Sequence, residues 1–127
     1  MKESVMLTIA SLFSILFGMF HLADDIVRGM SPGGLPNLLA VVICVVWLYG
    51  TLVLAERRSG YIIILIASLL LIGVPIIHMR GVGIGFATTR SGGFFFVWTL
   101  LAMGVTALFS VILSVRGLWS LPWRRPR

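Results

Sequence analysis

Four apolar runs, at approximately residues 5–28, 37–56, 61–79 and 94–116, take up most of this 127-residue chain and decide what it can fold into. A helix needs about 20 predominantly apolar residues to cross the hydrocarbon core of a bilayer, and backbone in lipid must satisfy its own hydrogen bonds. The β-branched stretch Ile62 to Ile66 would read as a strand in water, but in this context it belongs to a helix. The sequence therefore predicts an all-α membrane protein, a four-transmembrane-helix bundle forming a single membrane domain. Hydrophobic residues make up 59% and charged residues 11% of the chain. Soluble domains hold about 45–50% apolar and about 25% charged residues, so there is no surplus of polar surface to cover a water-soluble fold.

The net charge of +6 does not point to nucleic acid. Lys and Arg sit in short loops and near the end of the chain, where topology signals sit, and no basic patch interleaved with aromatics offers a base-stacking surface. Lys2, Arg57, Arg58, Arg116, Arg124, Arg125 and Arg127 fall on one side of the four runs; Arg28, Arg80 and Arg90 fall on the other. Positive residues stay inside, so both termini are expected to be cytoplasmic, in a multi-pass protein of a bacterial or archaeal cytoplasmic membrane. The partner so implied is the lipid bilayer. The single cysteine, Cys44, has no partner for an intrachain disulfide and no Cys-x-x-Cys, which argues against a quinone-linked thiol oxidoreductase. The first run lacks a small-x-small cleavage site and is read as an uncleaved span.

Along the chain, Gly29 to Pro36 is a turn-rich loop, and Asn37 is the expected cap of the second helix. Trp47 and Tyr49 are expected at an interfacial aromatic belt, and Trp119 and Trp123 with the terminal arginines at another. Pro75 should kink the third helix one turn before His78. The segment Gly81-Val82-Gly83-Ile84-Gly85 lacks the spacing and the preceding strand of a dinucleotide fingerprint, and reads as a mobile loop or a short re-entrant turn.

The ionisable residues are not scattered. His21, Asp24, Asp25 and Arg28 follow the i, i+3, i+4, i+7 series that shares one helix face. Ser11, Ser14 and Gly18 continue that face inward, and Thr99, Met103, Thr106, Ser110 and Ser114 make a second small and polar stripe on the fourth run. With the topology above, His21, Asp24, Asp25, Arg28, His78 and Arg80 all gather at the outer end of the bundle. Such a cluster suits an ion or a small polar solute, and a transporter more than an enzyme, because histidine and carboxylate facing water exchange protons near neutral pH. No acidic residue lies at the midplane of a run, which weighs against a simple proton-coupled exporter. Asp24–Arg28 and His21–Asp25 could instead merely finish helices at the headgroups. His21, Asp25 and His78 are candidate metal ligands, and His21 with His78 could hold a haem. A homo-oligomer, or an accessory subunit of a larger membrane complex, would use the polar stripes as contacts.

Overall fold

The computed structural model describes residues 2–80 and 83–122. Helices α1 (Glu3–Val27), α2 (Leu35–Leu52), α3 (Arg58–Arg80), α4 (Gly83–Thr88) and α5 (Gly93–Ser120) follow in order, and no strand occurs among the described residues. All but α4 are long and apolar enough to cross a membrane. At 1.5 Å per residue the 18 residues of α2 span about 27 Å and the 28 of α5 about 42 Å, against a hydrocarbon core of about 30 Å.

Burial departs from that of a water-soluble bundle. The interior mixes Leu7, Ile64, Phe96, Leu100 and Met103 with Ser11, Ser14, His21, Asp25, Thr51, Ser68, Thr99, Ser110 and Ser114, while large apolar side chains such as Phe13, Leu39, Ile66, Leu70, Leu101 and Phe109 are exposed. In water this would cost most of the hydrophobic driving force; an apolar solvent removes the objection. Small residues let the helices close up. Helix α5 packs along both α1 and α3, and α2 mainly against α3. Tyr61 of α3 sits where a side chain on Gly117 of α5 would be, and the Pro75 ring lies 3.4 Å from the Cβ position of Gly104. Glu3 and Arg116 pair at 2.5 Å, so the start of α1 and the last turns of α5 share one end.

Several local expectations change. Helix α2 begins at Leu35 after Gly34, not after Asn37, with Pro36 in the first turn where its missing N–H is harmless. The Asn37 amide donates to Ser31 Oγ at 2.7 Å instead. The second helix stops at Leu52, short of residue 56, and the chain turns through Glu56 at φ 62°. Trp47 is not at an interface: it is 2% exposed and its indole N–H donates to Ser11 Oγ at 2.7 Å. Tyr49 and Trp119 are exposed as a belt requires. Pro75 is accommodated inside a continuous α3. The glycine-rich segment after Arg80 holds α4 from Gly83; Gly81, Val82, Trp123, Arg124, Arg125 and Arg127 lie outside the described residues.

Candidate metal centre

At the end of the bundle opposite Glu3 and Arg116, α1, α3 and α5 bring His21, Asp25 and His78 together. Each arrives for a local reason. His21 and Asp25 are one turn apart on the buried face of α1 that also carries Ser11 and Ser14. His78 is one turn beyond Pro75, near the end of α3. The two imidazoles meet edge to face, 5.1 Å between ring centroids, and Phe96 of α5 floors both at 4.8 Å from His21 and 5.5 Å from His78.

The hydrogen bonds orient both rings through Nδ1. His78 Nδ1 lies 2.9 Å from the Val74 carbonyl, which can only accept, so Nδ1 is the donor. His21 Nδ1 lies 3.1 Å from Thr99 Oγ1. Thr99 has one hydroxyl proton, and its oxygen stands 3.0 and 3.1 Å from the carbonyls of Phe95 and Phe96. With that proton given to a carbonyl, Oγ1 receives His21 Nδ1–H. When both rings are neutral and protonated on Nδ1, their Nε2 lone pairs face Asp25. His21 Nε2 is 3.7 Å from Oδ1, and His78 Nε2 is 3.4 Å from Oδ2. His21 Nε2 and Asp25 Oδ1 are buried with no hydrogen-bond partner among the described residues.

Two imidazole nitrogens and one carboxylate thus converge. The ligating atoms all lie within 4.8 Å of one another. An N–H···O bond spans about 2.7–3.2 Å, whereas ligands bound at about 2.0–2.1 Å around a tetrahedral ion stand about 3.3 Å apart. The 3.7 Å to Oδ1 and 3.4 Å to Oδ2 are longer than hydrogen bonds and near ligand spacing, and a small inward shift of the side chains would bring all three around one ion. The Nδ1 contacts to Thr99 and Val74 are of the kind that orient histidines where they ligate a metal.

The remaining expected site residues divide. Asp24 turns away and accepts from Arg28 Nε at 2.6 Å. Arg28 also donates to the Ser91 carbonyl at 3.2 Å, and its guanidinium carbon is 5.7 Å over the Phe96 ring, so it borders the centre without touching a ligand. Arg80 is exposed at the end of α3 and forms no ion pair with the cluster. Phe96, Thr99 and the Val74 carbonyl were not among the sequence candidates. Of these only Thr99 carried a signal, as the first member of the polar stripe on α5. No protein-family model, no characterised protein and no solved structure matches this chain.

Proposed function

We propose that this chain is an integral membrane protein, both termini cytoplasmic, that binds a divalent first-row transition-metal ion at His21, Asp25 and His78 on the outer side of the bilayer. The observation that carries the reading is the convergence of two imidazoles and one carboxylate within 4.8 Å of one another, with His21 Nε2 and Asp25 Oδ1 buried and without a hydrogen-bond partner among the described residues. Two imidazoles and one carboxylate suit Zn²⁺, Fe²⁺ or Mn²⁺ and leave a coordination position open. A haem fits less well, since the two rings stand edge to face at 5.1 Å and share one carboxylate, with no flat slot between them.

A second reading is ion transport. It is favoured by hydroxyls that continue inward from the centre: Ser14 Oγ stands 3.5 Å from Ser110 Oγ, and Ser11 Oγ 2.7 Å from Thr51 Oγ1. Metal content and titration calorimetry of the detergent-purified chain test the first reading. One ion per chain is expected, with affinity falling at least about 100-fold in His21→Ala and in His78→Ala, since each loses a ligand. Full metal binding by the double variant would refute the site. Uptake of that ion by proteoliposomes, absent from both variants, would select transport. A reporter fused at Arg127 that reads as periplasmic would reverse the orientation.

A further inference from the structure

We propose that the open position of this centre takes the carboxylate head of a single-chain fatty amphiphile, which enters from the lipid phase and lays its tail between α1, α2 and α3. The proposal rests on the metal-binding reading and names the class of molecule that such a centre receives.

A cavity of about 320 Å³ lies between these three helices, and His21, Asp25 and His78 form one end of it. Away from that end its walls are almost wholly apolar, with Ile15, Ile43, Leu71 and Val74 among them. The cavity exists because α2 is anchored only at its far end: its buried residues are Trp47, Gly50 and Thr51, while Leu38 and Leu39 are exposed. Leu70 and Ile77 line the cavity and are also 58% and 70% exposed, so it opens on the apolar flank of α3. Leu70 is near the middle of that helix. In the membrane reading the opening faces acyl chains.

The chemistry of the two ends selects the occupant. A divalent ion held by two neutral imidazoles and one carboxylate keeps a net positive charge in apolar surroundings, which is costly unless an anionic ligand neutralises it. A carboxylate oxygen does so and completes a four-coordinate shell. The rest of the cavity gives water few hydrogen-bond partners, and such cavities stay dry or take apolar molecules. At about 30 Å³ per water-sized group, the volume holds on the order of ten such groups. That is room for one chain of roughly ten carbons.

The test uses the full chain loaded with Co²⁺ in phosphatidylcholine nanodiscs, with decanoate as probe. Decanoate should shift the visible Co²⁺ bands saturably, and acetate at the same concentration should not. Decane, which fills the cavity but cannot ligate, should raise the decanoate half-saturation concentration. Cys44→Phe puts a ring into the cavity wall away from the centre; it should keep the Co²⁺ spectrum and weaken the decanoate response at least tenfold. Cobalt bound with no decanoate response overturns this proposal alone. So does a response that acetate matches, or one that neither decane nor Cys44→Phe diminishes. Absence of any bound cobalt overturns the metal reading and this proposal with it.

Discussion

The two ends of the bundle are built from similar residues and differ in how far their polar atoms are satisfied. At the end holding Glu3 and Arg116, the helices touch and Ser11, Trp47 and Thr51 pair with one another, although Ser114 Oγ is buried without a partner among the described residues. Trp47 Nε1 donates to Ser11 Oγ at 2.7 Å, Ser11 and Thr51 share a bond at 2.7 Å, and Thr51 Oγ1 donates to the Trp47 carbonyl at 2.9 Å. Gly60 lies against the Leu54 carbonyl oxygen so closely that no side chain fits. At the other end, α2 stands off, a cavity opens, and His21 Nε2 and Asp25 Oδ1 have no partner among the described residues. Buried polar groups in an apolar solvent stabilise when satisfied and cost free energy when not. The first end is glue; the second holds unmet hydrogen-bonding capacity that a ligand can use.

The largest effect should come from breaking the packed end. Gly60→Ala places a Cβ into the Leu54 and Gly50 carbonyl oxygens, which are backbone and cannot yield unless the turn between α2 and α3 opens. The expected loss is about 3 kcal/mol, at the upper range for overpacking, read as a lowered thermal midpoint in detergent. Gly73→Ala, on the same helix with nothing within 4 Å of its Cβ position, should be neutral or stabilising by up to about 1 kcal/mol. If the two substitutions cost the same, close packing at Gly60 is not what holds this end together.

Asp25→Asn should act with the opposite sign at the other end. The amide keeps the shape, removes a charge from apolar surroundings and gives an N–H to one bare histidine Nε2. The metal-free protein should gain about 1 kcal/mol, within the range for satisfying a buried group, while metal affinity falls at least about 100-fold. Thermal midpoints with and without added Zn²⁺ measure both. A destabilised metal-free variant would mean that the carboxylate already serves as a structural partner, and the contrast between the ends would collapse into two kinds of glue.

Much of this was legible in the sequence because hydropathy and helical periodicity are local. The four long helices, the shared face of Ser11, Ser14, His21 and Asp25, and the placing of His78 near the end of α3 all follow from spacing along one chain. What failed depends on contacts between helices. Trp47 looks interfacial from its position near a helix end, yet it is buried because Ser11 of α1 offers an acceptor for its N–H. Phe96 is one of three consecutive phenylalanines, and only the packing of α5 against α1 and α3 shows that it floors both imidazoles. Arg80 satisfied the charge pattern but not the geometry, since the last residue of a helix has solvent to turn to. The partition of the two adjacent aspartates was half visible. The Asp24–Arg28 spacing was clear, whereas the meeting of Asp25 with His78 needs two helices.

The smallest effect should follow from Arg28→Ala, and it sharpens where the centre ends. Arg28 reaches the metal ligands by two routes of opposite sign. Its guanidinium lies over Phe96, so removing it loosens the floor under His21 and His78 and should weaken binding. It also neutralises Asp24 at 2.6 Å, so removing it leaves a carboxylate one residue from Asp25, and that charge attracts a cation. The Asp24 side chain is 14% exposed in its pair, and loss of the Arg28 side chain opens it to solvent, where its field is screened with a Debye length of about 8 Å at physiological salt, while a packing change is insensitive to salt. The two terms should nearly cancel, leaving affinity within about fivefold of the parent, equivalent to about 1 kcal/mol. Raising the salt should screen the Asp24 term and uncover the weaker binding that the loosened Phe96 produces. Arg80→Ala should leave affinity unchanged at either salt, because its side chain is exposed and outside the cluster. A loss of more than tenfold in Arg28→Ala, unaffected by salt, would make Arg28 a structural member of the centre and move its boundary outward to the Ser91 carbonyl.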